Sequence, residues 1–168
     1  MHSDYIMRMI EQFVQALATI VLNRKQKKYD QAIEQIQLAS KKFLHSDIIT
    51  LLQYDSKKLV DQFKDTSGRL NTEQCIVCAE LFYEFALISN ETQRPDVGQH
   101  LQMLSLHLYS LAIPLDKQFQ VPKYLQKANS LLLENITTNF PEDVQSNISH
   151  YKKFLEKMDS TPKEKEKN

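Results

Sequence analysis

An all-α fold of about seven or eight helices, arranged as stacked antiparallel hairpins, is what this chain predicts. Three observations carry that expectation. Apolar residues recur at steps of three and four from one end of the chain to the other, the rhythm of a helix face. Glycine occurs only twice, at Gly68 and Gly98, too rarely for a protein built on many tight hairpin turns. No Val/Ile/Thr-rich alternating run with turn punctuation appears, so no sheet is expected.

Taken in order, the first helix spans about 3–24, with Ile6, Ile10, Phe13, Leu17, Ile20 and Val21 on one face and Ser3 and Asp4 as caps. "RKQKK" separates it from a second helix, about 29–43, whose stripe is Ala32, Ile36, Ala39 and Phe43. So short a link makes the two antiparallel neighbours. Ser46-Asp47 caps a short third helix, "IITLLQY", and Asp55-Ser56 caps a fourth, "KKLVDQF", which ends near Gly68 as the residue past its C-cap. Asn71 with Gln74 reads as a capping-box variant opening a fifth helix, about 72–90. After the loop "NETQRP", Pro95 begins the sixth, about 95–113. Val97, Leu101, Leu104, Leu108, Leu111 and Leu115 form its seam. Met103, Leu106, Tyr109 and Ile113 make the opposite side apolar as well, and a helix apolar on both sides needs cover on both. Pro114 ends it. Pro122 starts a seventh helix carrying Tyr124, Leu125, Ala128, Leu131, Leu132 and Ile136. Pro141 starts an eighth with Val144, Ile148, Tyr151, Leu155 and Met158. Residues 1–158 are expected to form one domain. "DSTPKEKEKN" (159–168) has nothing apolar to bury and reads as a disordered charged tail.

Composition excludes several functions. The 21 basic and 21 acidic residues balance, with no basic stripe, which argues against nucleic acid as a partner. No two glycines lie close together, so phosphate-cradling and dinucleotide loops are absent. "FVQALATIVL" is apolar, but Glu11, Gln12 and Gln15 interrupt the apolar run and Asp4 precedes it, so neither a secretory signal nor a membrane span is expected. A cytoplasmic setting follows, and the Asn-x-Ser/Thr triplets at Asn90, Asn135 and Asn147 then carry no meaning.

"KYDQAIEQIQLA" (28–39) resembles the second half of a tetratricopeptide repeat through Tyr29, Ala32, Ile36 and Ala39, and "KYLQKANSLL" (123–132) echoes it through Tyr124 and Ala128. Alanine there lets two helices approach while larger residues fill the groove beside it. The first helix departs from the repeat at Ala16 and Ile20. The longer pattern "DYIMRMIEQFVQALATIVLNRKQKKYDQAIEQI" followed by "LNTEQCIVCAELFYEFALI" resembles a family of small all-helical proteins of Gram-positive bacteria, a domain of unknown function. The resemblance implies a tetratricopeptide-like fold and no activity. In repeats that clamp a terminal carboxylate, the matching positions would be Leu17 and Val21, and neither side chain can bond one.

The chemistry candidates each have a structural alternative. Cys75 and Cys78 have the C-x-x-C spacing of redox and zinc sites. The intervening Ile-Val, the lack of a second pair and their place on a stripe with Ala79, Phe82, Phe85, Ala86 and Ser89 favour core packing. His100 and His107, seven apart, stand about 10 Å apart along one helix, too far to share a metal. The carboxylate pairs Asp61/Asp65 and Glu142/Asp143 read as surface turns. Nothing joins nucleophile, base and orienter. No enzyme, cofactor or metal is therefore expected. The expected function is a cytoplasmic scaffold or adaptor that binds a protein or peptide, or self-associates through an apolar helix face. The alternative is a regulator sensing a ligand, metal or peptide in a helical cavity.

Overall fold

Eight α-helices and no β-strand make up residues 2–160, the part of the chain that the computed structural model describes. They are α1 (His2–Lys25), α2 (Tyr29–Ala39), α3 (Ile48–Gln53), α4 (Ser56–Asp61), α5 (Thr72–Glu91), α6 (Pro95–Ala112), α7 (Pro122–Glu134) and α8 (Glu142–Ser160). Lys64 and Leu70 form an isolated antiparallel bridge in the α4–α5 connection. The tail expected over 159–168 falls mostly outside the described residues, and Asp159 and Ser160 still belong to α8.

Local chemistry sets the helix starts. The Asp47 side chain accepts from Ile49 N–H, Asp55 from Lys58 N–H and Asn71 from Gln74 N–H, each satisfying an amide that the first turn leaves without a partner. Ser46 does not cap α3; its carbonyl accepts from Ser40 Oγ instead. The capping box at α5 is half formed, because the Asn71 amide goes to the Phe63 carbonyl. Pro95 and Pro122 occupy first-turn positions, where a missing N–H does no harm. Pro141 lies one residue before α8 and its carbonyl accepts from Gln145 N–H.

Several boundaries differ from the sequence expectation. After α2 the chain widens into a π-helical turn over Ser40–Leu44, closed by His45 in the left-handed region. The helix α4 stops at Asp61, well short of Gly68. Gly68 serves a turn in which the Asp65 side chain accepts from Ser67 and Arg69 amides, and its φ of +83° explains the glycine there. Asp4, expected as a cap, sits inside the first turn of α1. Val97 and Leu115, the ends of the leucine seam, are exposed, and Ile136 lies beyond α7 in solvent.

The centre of the molecule is the α5–α6 hairpin. α1 and α2 pack on the α5 side, and α7 and α8 pack on the α6 side. Small residues let the two central helices approach. Gly98, Ser105 and Ala112 repeat every seven residues on α6 and all are buried. The Ser105 hydroxyl donates to the Ala79 carbonyl at 2.8 Å. A Cβ at Gly98 would stand 2.0 Å from Asn90 Oδ1 and 3.3 Å from the Ala86 carbonyl, so glycine here is a matter of clearance. Leu101, Leu104 and Leu108 are fully buried. So are Leu106 and Tyr109 on the other side of the same helix, and Ile113 just past its end. Leu106 and Ile113 on the second apolar side are therefore covered within the chain, and Met103 is part-buried against the same core.

Candidate functional site

An open groove of about 710 Å3 lies where the starts of α4 and α8 meet the flank of α6. It is lined in part by Asp55, Ser56, His100, Met103, Glu142 and Asp143. It gathers two groups that the sequence separates: a histidine of the sixth helix and the Glu142/Asp143 pair. Those carboxylates are not on a surface turn. They open α8, where negative charge suits the helix dipole, and Asp143 also accepts from Ser56 Oγ at 2.6 Å.

His107 sits at the back of this region with 1% of its side chain exposed. Asn147 Nδ2 lies 3.3 Å from its Nδ1, and Asp143 Oδ2 lies 4.0 Å from its Nε2. The Asn147 amide faces Nδ1 and the Asp143 carboxylate faces Nε2, an arrangement that suits a ring proton on Nε2. Burial pulls the imidazole below its ordinary value, against the opposing pull of Asp143 and the Ser56 backbone. His107 is thus a neutral link among α4, α6 and α8. His100 does not join it. His100 is exposed, with Nε2 3.0 Å from the Leu52 carbonyl.

Serine, aspartate and histidine meet here in an order that does not activate a nucleophile. Catalysis of that type needs the imidazole between the hydroxyl and the carboxylate. Here the carboxylate is in the middle and accepts the hydrogen bond that the Ser56 hydroxyl donates. The arrangement holds three helices together. Asp61 and Asp65, the other carboxylate pair, also serve locally: Asp61 faces Lys64 at 3.5 Å and Asp65 holds the Gly68 turn.

Cys75 and Cys78 are both free thiols with no exposed surface, packed in the main hydrophobic cluster. Burial, with a smaller contribution from Glu73, pushes the Cys75 thiol up to about 12, and Cys78 lies well above its ordinary value. Neither holds thiolate at neutral pH, the form that redox exchange and metal binding both use. Among the described residues no three of His, Cys, Asp and Glu stand together as a metal site.

The sequence reading passed over the most buried charges in the molecule. Glu80 of α5 has no exposed surface. It accepts from Tyr109 Oη of α6 at 2.5 Å and from Lys127 Nζ of α7 at 2.6 Å. Burial, with the adjacent Glu80 carboxylate, pushes the Tyr109 phenol well above its ordinary value, so it remains a donor. One turn further along α5, Glu84 is bound by Arg24 Nε of α1 at 2.7 Å, and the same guanidinium reaches Glu91 at 3.2 Å. The signal available in sequence was the seven-four-seven spacing of Glu73, Glu80, Glu84 and Glu91 on an otherwise apolar helix. These pairs lock α1, α6 and α7 onto α5 and line no groove described above.

The helix α1 buries Phe13, Leu17 and Ile20, yet Met7, Val14, Ala18 and Leu22 stand exposed on another flank. The span Asp4–Lys25 is, among the described residues, the one helix long and apolar enough to cross a membrane by length and composition, a test that core helices and signal sequences also pass.

None of the curated proteins and none of the solved structures compared matches this chain. One family model does, over residues 1–166, nearly its whole length, and all eight helices fall within that match. The chain belongs to the family of unknown function DUF6483.

Proposed function

We propose that this protein is a non-catalytic, cytoplasmic helical interaction module of a Gram-positive bacterium, its hairpins stacked in the tetratricopeptide manner. It binds a protein or peptide, or a second copy of itself, through the outer flank of α1. The supporting observation is the contrast between its two doubly apolar helices. The chain covers both faces of α6, whereas Met7 and Leu22 of α1 are left 59% and 54% exposed. An apolar stripe along four turns of a helix, held in place by ion pairs on its other side, suits a binding surface better than a core. Crosslinking and affinity capture from the native host test this, comparing the natural chain with Val14→Glu. The natural chain should retain a partner that the variant loses. Equal recovery by both would remove the proposal's support.

A second reading is a regulator that senses a small ligand or peptide at the α4–α6–α8 groove. It is favoured by the seclusion of His107 directly behind an open groove. On that reading ligands would perturb the His107 ring resonances, and Val14→Glu would leave binding intact.

A further inference from the structure

We infer that the outer flank of α1 is a self-pairing surface: α1 packs antiparallel against α1 of a second copy, with Val14 near the two-fold axis and Met7 opposite Leu22. The inference rests on the reading of α1 as an interaction face and names its occupant.

Spacing and charge carry it. Met7, Val14, Ala18 and Leu22 follow steps of seven, four and four, so they form one stripe about 22 Å long, roughly 120° around the helix from Phe13, Leu17 and Ile20. An antiparallel two-fold pairing superposes such a stripe on itself. The bulky ends, Met7 and Leu22, then meet each other, and the small Ala18 leaves room beside Glu11 of the other copy. The charges on the stripe are segregated. Asp4 and Glu11 lie toward its start and Lys25 at its end, all exposed. Reversing one copy sets Lys25 beside Asp4 twice over, whereas a parallel pair would set like charges side by side. Arg24 is already held by Glu84 and Glu91, which leaves Lys25 as the cation for this role.

A lipid surface fits the same stripe poorly. Interfacial helices flank their apolar face with several lysines and arginines, whereas the start of this one carries two carboxylates, Asp4 and Glu11, against a single arginine, Arg8. A pair of helices four turns long is a small interface, so weak, concentration-dependent association is expected.

The test combines sedimentation with site-directed crosslinking of the full chain. The native thiols are buried, so added cysteines report alone. Sedimentation over a micromolar to sub-millimolar series should show a monomer–dimer equilibrium, with Val14→Glu raising the dissociation constant at least about tenfold, because it buries an unpaired charge. Under mild oxidation Val14→Cys should crosslink to itself and Met7→Cys should not, while a mixture of Met7→Cys and Leu22→Cys should give the mixed dimer. Asp4→Lys and Lys25→Asp should each weaken association, and the double variant should recover it. Circular dichroism of each variant confirms the fold, so loss of dimer is not loss of structure. Self-crosslinking of Met7→Cys, or natural chain that is monomeric throughout, overturns the inference. So does stripe-dependent binding to phosphatidylglycerol vesicles by chain that stays monomeric. If the chain is monomeric yet Val14→Glu still abolishes capture of another protein, only the identity of the occupant fails. If Val14→Glu alters neither, the interaction face itself fails.

Discussion

The helices α1 and α6 have similar apolar content and opposite fates. α6 lies in the middle of the molecule, with α5 on one side and α7 and α8 on the other, and every large apolar residue from Leu104 to Tyr109 is buried. α1 lies at the edge, with α2 and α5 on one side only, and its second apolar flank faces solvent. Composition therefore does not decide which greasy face is core. Position in the stack does, and position depends on contacts far apart in sequence.

Substitutions should separate the two helices by their effect on stability. Leu104→Ala is expected to lower unfolding free energy by about 3 kcal/mol, since it removes a fully buried side chain and leaves a cavity. Met7→Ala on α1 should change it by less than about 0.5 kcal/mol. Chemical denaturation of dilute, monomeric protein measures both, and a Met7→Ala loss as large as that of Leu104→Ala would erase the distinction. A smaller effect is expected where α7 joins the centre. Lys127→Met strands the fully buried Glu80 carboxylate. The loss should be about 2 kcal/mol, below that of a wholly buried pair because the Lys127 side chain is 23% exposed. Lys127→Arg, which keeps the charge, should recover part of it.

The smallest effect is a pH dependence at His107. Its folded value lies below the ordinary 6.5, chiefly through burial. Between those two values the unfolded chain takes up a proton that the folded chain refuses. Stability should therefore fall as pH drops from about 7 through 6.5, and level off below the folded value. Asp143 pulls the other way, but at 4.0 Å and 40% exposed it is too weakly coupled to reverse the sign. His107→Gln should remove this portion of the pH profile. A slope unchanged in that variant would assign the dependence to other groups.

The sequence reading located all eight helices, because periodicity, prolines and Asp or Asn caps act within a few residues. It misjudged where stripes stop. Leu115 and Ile136 continue the apolar rhythm past the ends of α6 and α7, Leu115 into a short 3-10 turn, and nothing local distinguishes them. It singled out His100, His107 and the Glu142/Asp143 pair, but not their arrangement. Ser56 reads as the neighbour of a cap, and its bond to Asp143 spans 87 residues. Glu80 and Glu84 were missed for the same reason. A glutamate on a helix looks solvated until partners 29, 47 and 60 residues away are placed beside it.

The Arg24 fork has a mechanical consequence. A helix docked along one greasy edge can roll about its long axis, because neighbouring hydrocarbon contacts substitute for one another. Fixing the guanidinium between two carboxylates of α5 works as an indexing pin. It sets the rotational phase of α1, so Val14 and Leu22 are kept facing outward when nothing is bound to them.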